Sequence, residues 1–72
     1  MQMMFDGIEG YDPKHHLLTI GEHDEPLAVY SIDHKKIVLP FEYQYVEYED
    51  EHVFCERWRD CCGEVHKYDD LI

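Results

Sequence analysis

The sequence predicts a mainly β fold: a small antiparallel meander or sheet of four to six strands, with at most one short helix. Three observations predict it. Short apolar runs alternate with polar residues and break at charged turns. No segment holds a 3.6-residue apolar period for three turns, which a stable amphipathic helix needs. And 72 residues suffice for one thin core, so residues 1–72 form a single domain with no room for a deep cleft.

The elements follow in chain order. His16-Leu17-Leu18-Thr19-Ile20 reads as a strand closed by Gly21 and the turn-like His23-Asp24-Glu25-Pro26. Leu27 to Ile32 is the second strand, with Leu27, Val29 and Ser31 on one face and Ala28, Tyr30 and Ile32 on the other. Asp33-His34-Lys35-Lys36 reverses the chain into Ile37-Val38-Leu39-Pro40, where proline withholds the next ladder donor. In FEYQYVEYEDE, Phe41 to Glu51, the residues Phe41, Tyr43 and Tyr45 share one parity and Val46 and Tyr48 the other. A regular strand must therefore be interrupted near Tyr45 by a bulge or corner. His52 to Trp58 is a further strand, and Arg59-Asp60-Cys61-Cys62-Gly63 turns it into Glu64-Val65-His66-Lys67-Tyr68.

Shifting the chain by about 36 residues lays His16 on His52, Asp24 on Asp60, Val29 on Val65, Asp33 on Asp69 and Phe5 on Phe41. Two degenerate β repeats, 5–40 and 41–72, are the expected organisation, each unit needing its neighbour to bury a face.

Ser31 to Glu51, SIDHKKIVLPFEYQYVEYEDE, resembles the tail of a WG repeat. In that family a strand ends in Ile-Asp, turns, runs through Ile-Val-x-Pro and reaches a Tyr before a hydrophobic residue. Asp33, Val38, Pro40, Tyr43 and Val46 occupy those places; Val29-Tyr30 stands where the Trp-Gly pair would be, and Lys35-Lys36 replaces the turn glycine. The resemblance implies a β-rich module without catalysis.

Charge supplies nearly all the polarity. The chain has no Asn, one Ser and one Thr, but seventeen acids against six bases, a formal charge of −11. Such a charge repels phosphate, so direct nucleic-acid binding is not expected. Three cysteines cannot all pair within one chain, and the N-terminal MQMMFDGIEG has neither a basic start nor a long apolar run. No membrane span and a cytoplasmic setting are the expectation, the host cytoplasm if the chain is phage-encoded.

Phe41 to Glu51 carries four aromatic rings and five carboxylates and no Lys or Arg. Alternate strand residues lie about 6.6 Å apart on one face, so Glu47 and Glu49, with Glu42, Asp50 and Glu51, would form a row resembling a phosphate backbone. Tyr43, Tyr45, Tyr48 and Trp58 would add the rigid contact area favoured at binding hot spots. The expected partner is a basic protein, a nucleic-acid-binding enzyme or nuclease complex, blocked as phage inhibitors of the anti-CRISPR or anti-restriction type block theirs.

Two alternatives come from other classes. A WG-like structural module would assemble as a homodimer. A zinc-stabilised interaction domain would take its ligands from His52, Cys55, Cys61, Cys62 and His66, although no CxxC knuckle is present and His52 and Cys55 point to opposite faces of an unbroken strand. No cofactor is otherwise expected. No glycine-rich elbow or oxyanion loop accompanies the cysteines, so no catalytic residue is assigned and no enzyme is expected.

Overall fold

The computed structural model describes residues 8–22, 24–60 and 62–71. Phe5, His23 and Cys61, named above, lie outside them. Among the described residues six strands form one sheet in the order of the sequence: β1 (Ile8–Asp12), β2 (Leu17–Ile20), β3 (Leu27–Ser31), β4 (Lys36–Tyr48), β5 (His52–Arg57) and β6 (Gly63–Lys67). Every neighbouring pair is antiparallel, and the short helix α1 (Tyr68–Leu71) follows. The fold is thus the expected mainly β meander. No helix among the described residues is long and apolar enough to cross a membrane.

Two details differ from the sequence expectation. β1 was not foreseen: Gly10 and Pro13 mark its neighbourhood as loop, yet Gly10 pairs with Thr19 so closely that a Cβ there would lie 3.2 Å from the Thr19 hydroxyl oxygen. And Pro40 does not end a strand; Ile37–Pro40 and the acidic stretch as far as Tyr48 belong to one 13-residue strand, β4. The ladder tolerates the missing donor because Pro40 sits where the register slips, with Leu27 opposite Tyr43 but Val29 opposite Leu39.

On the β5 side of β4 a slip falls where the aromatic parity requires it. Tyr43 lies opposite Arg57 and Tyr45 opposite Glu56, leaving Gln44 as the extra residue. Its side chain ties the next turn in place: Oε1 accepts from Arg59 N at 3.1 Å and Nε2 donates to the Asp60 carbonyl at 3.3 Å. These slips, with a further one between Val29 and Tyr30, let one strand pair with β3 and then β5, with Tyr43 paired to both. Leu39 and Tyr43 enter the core before the Gln44 bulge, and Val46 and Tyr48 pack on it afterwards.

Leu17, Val29, Leu39, Tyr43, Val53, Cys55, Tyr68 and Leu71 form that core. α1 closes one end, where the Tyr68 ring stacks on His15 at 3.5 Å and its hydroxyl donates to the Glu49 carbonyl. His15 is held in turn by the buried Asp12 at 2.8 Å. Among the described residues four non-glycine ones take positive φ, and His16 (54°) and Lys35 (54°) each close a four-residue turn, Pro13–His16 and Ile32–Lys35.

The β1–β2 and β4–β5 hairpins share a register. Adding about 36 to the pairs Gly10↔Thr19, Tyr11↔Leu18 and Asp12↔Leu17 gives Val46↔Cys55, Glu47↔Phe54 and Tyr48↔Val53. The third strands differ by one step, since Leu17 faces Ser31 but Val53 faces His66.

Candidate functional site

The bulge at Gln44 divides the acidic aromatic stretch into three environments. Tyr43 lies inside, 2% exposed. Its hydroxyl donates to Glu64 Oε2 at 3.1 Å, and burial with the neighbouring carboxylate pushes its pKa up to about 12. Tyr48 is half-buried, shares a 2.7 Å hydrogen bond with the Thr19 hydroxyl and is likewise pushed to about 12 by burial. Tyr43 thus offers no free contact surface, against the expectation for it, and Tyr48 is only partly exposed. Tyr45 alone turns outward, 44% exposed.

Around Tyr45 the outer side of β4, β5 and β6 assembles a mixed patch. Glu56 is its cross-strand partner, Phe54 stands opposite Glu47, and Val65 stands opposite Phe54. The Tyr45 and Phe54 rings meet edge to face at 6.3 Å, and Val65 is 61% exposed. Gly63 lets the Phe54 ring lie flat on β6, since a Cβ there would come within 2.9 Å of it. Desolvation, then Glu47, Glu56 and Glu49, raise the Tyr45 phenol above its ordinary value.

The remaining acids of the stretch form the β4–β5 turn. Glu49, Asp50 and Glu51 are all exposed, and together with His52 they line a shallow concavity. Asp50 and Glu51 also border a second concavity with His15, Lys67, Tyr68 and Asp69, so α1 brings a further carboxylate to this pole of the sheet. Glu49 pairs with His52 at 3.1 Å.

Two predicted members lie elsewhere. Glu42 is paired with Arg57 at 2.9 Å rather than free. Trp58 is half-buried, its backbone N–H donates to the Glu42 carbonyl, and the Arg59 guanidinium lies 5.6 Å from its ring centre. It sits at the opposite end of β5 from the acidic turn, about 20 Å away by strand rise.

The zinc candidates separate too. His52 turns to Glu49, and Cys62 is exposed in the β5–β6 turn, where its backbone N–H donates to Asp60 Oδ1 at 3.2 Å. Cys55 and His66 do come together, around a residue that the sequence reading left out. Glu64 is the cross-strand partner of Cys55, and its carboxylate accepts from Arg57 Nε at 2.5 Å, from the Tyr43 hydroxyl, and from His66 Nε2 at 3.0 Å. The bond from His66, followed by those from Arg57 and Tyr43, outweighs desolvation and lowers the Glu64 pKa. Burial and the facing carboxylate push the Cys55 thiol up to about 11. The alternation Glu64-x-His66 was the signal that could have found this cluster, once the β5–β6 turn set Glu64 opposite Cys55.

Comparison with known proteins finds no matching family model, no matching curated protein and no matching solved structure.

Proposed function

We propose that the chain is a non-enzymatic acidic binding module that docks on the basic, nucleic-acid-binding surface of a partner protein and blocks it. The observation that carries this reading is the placement of Glu49, Asp50 and Glu51, all exposed on one turn, beside the outward patch of Tyr45, Glu47, Phe54 and Glu56. The turn supplies long-range attraction, and the rings and Val65 supply short-range contact area. Tyr43 and Tyr48 serve the fold. An inhibitor of a defence nuclease, of the anti-CRISPR or anti-restriction type, would work this way, since its target groove is shaped to attract phosphate.

The test is capture from a bacterial lysate followed by competition. Proteins retained on the immobilised chain should be nucleic-acid-binding, and added duplex DNA or raised salt should release them. Retention that DNA does not compete removes the reading.

A second reading rests on a different face. Tyr11, Leu18, Tyr30 and Ile37 are paired in succession across β1 to β4, and Tyr11 and Ile37 are 52% and 40% exposed. Such an apolar row fits contact with a second copy of the chain. Mass measured by light scattering across a concentration series tests it, with Ile37→Lys expected to shift any dimer to monomer.

A further inference from the structure

We propose that Cys55, Glu64 and His66 form a binding site for a divalent transition metal of the zinc class, which clamps the terminal strand β6 to β5. Sγ of Cys55, a carboxylate oxygen of Glu64 and a ring nitrogen of His66 all lie within 4.8 Å of one another. A tetrahedral ion bonded at about 2.0–2.3 Å holds its donors about 3.3–3.7 Å apart, so small side-chain rotations close the triad. The donors are one sulfur, one nitrogen and one oxygen, a set that suits zinc and excludes the all-oxygen preference of magnesium and calcium.

The scaffold is suited to holding them. Cys55 and Glu64 are direct cross-strand partners, and His66 follows two residues on, on the same face, so all three stand on paired strands rather than on a loop. Cys55 is fully buried and forms the inner wall, while the Glu64 and His66 side chains are 24% and 29% exposed, leaving an entry path and a fourth position for water. Arg57, itself held by Glu42, grips Glu64 Oε1 and leaves Oε2, the oxygen now bonded by Tyr43 and His66, facing the triad. Such an outer contact fixes the orientation of a ligating carboxylate. Binding exchanges the Cys55 thiol proton for the ion, with that proton passing to solvent; the neutral His66 ring moves its proton from Nε2 to Nδ1 through solvent, so that Nε2 and Glu64 Oε2 each bond the metal in place of their mutual hydrogen bond.

A domain of this size gains much from such a staple. Among the described strands β6 has a neighbour on only one side, β5. The ion would join the two strands independently of their ladder.

The experiment uses the full chain, reduced, stripped with chelator and titrated with Co²⁺ as a spectroscopic probe. About one equivalent should bind with a near-ultraviolet thiolate-to-cobalt charge-transfer band, displaced by Zn²⁺, and Zn²⁺ should raise the unfolding temperature. Cys55→Ala should abolish the band, and His66→Gln should weaken binding by more than the roughly 10–100-fold that loss of a contact behind a ligand costs. Cys61→Ser, Cys62→Ser and His52→Gln should leave it unchanged. The proposal is overturned if the native chain shows no charge-transfer band, or if the band survives Cys55→Ala or vanishes with Cys61→Ser or Cys62→Ser. Should Cys55→Ala fail to fold, His66→Gln decides: unchanged affinity overturns the site.

Discussion

The Tyr43 hydroxyl donates a 3.1 Å hydrogen bond to Glu64 Oε2, joining β4 to β6 across the intervening β5. The ring of the same tyrosine fills the core, and Arg57 on β5 lies over it at 5.5 Å while gripping the same carboxylate. Tyr43→Phe keeps the ring and removes the bond, and should cost about 1–2 kcal/mol in urea unfolding. Tyr43→Ala also empties the core position and should cost about 3–5 kcal/mol. A double-mutant cycle of Tyr43→Phe with Glu64→Gln should show coupling of more than about 0.5 kcal/mol, and additivity would contradict the link.

Glu64 also gives stability an acid dependence whose sign follows from its partners. Its carboxyl titrates lower in the folded chain than in the unfolded one. The stabilisation it brings is therefore complete above the unfolded value, about 4.3, and is lost as pH falls through the folded value. Stability curves of the native chain and Glu64→Gln should converge as the pH drops through that window. Parallel curves would place the acid sensitivity elsewhere.

Lys35 closes the β3–β4 turn with φ of 54°, a conformation that costs a side-chain-bearing residue about 1–2 kcal/mol. Its side chain is exposed at the hairpin tip. Lys35→Gly should stabilise the fold by about 0.5–1 kcal/mol, the relief of strain exceeding the added freedom of the unfolded chain. A lower unfolding midpoint in thermal denaturation would contradict the turn geometry.

The thiols should differ in reactivity. Cys55 is buried with its pKa pushed to about 11, so almost no thiolate is present or accessible at neutral pH. Cys62 is exposed, although Asp60 raises its thiol as well. Peptide mapping after brief alkylation should find Cys62 modified and Cys55 intact until denaturant is added. Labelling of both at equal rates would show that the β5–β6 core opens readily.

Much of this architecture is legible in residue order. Alternation in Leu27 to Ser31 and His52 to Arg57, and the Asp33 to Lys36 reversal, mark strands and a hairpin directly. The conflict of parity between Tyr43 and Val46 locates the bulge that the structure places at Gln44. What single-strand patterns do not carry is the partner across the sheet. β1 is defined by the fit of Gly10 against Thr19, not by its own composition. Pro40 reads as a terminator until β3 supplies a register slip to lodge it in. The tyrosines of β4 look equivalent in sequence, yet the bulge sends Tyr43 to Glu64, Tyr48 to Thr19 and only Tyr45 outward. Cys55 and His66 were legible as possible ligands, whereas Glu64 became visible only with the β5–β6 pairing.

The central claim, that a localised acidic turn steers the chain to a cationic groove, is tested most directly by matched charge reversals. One variant carries Glu49→Lys, Asp50→Lys and Glu51→Lys; the other carries Glu9→Lys, Glu22→Lys and Glu25→Lys, the same change in net charge at exposed positions outside the turn. Association rates to a DNA-competed partner captured from lysate are then measured across a salt series. The account predicts that the turn variant loses most of its on-rate and flattens its salt dependence while the matched variant loses far less. Equal losses in the two variants would show that net charge alone acts, and would contradict a docking site at the β4–β5 turn.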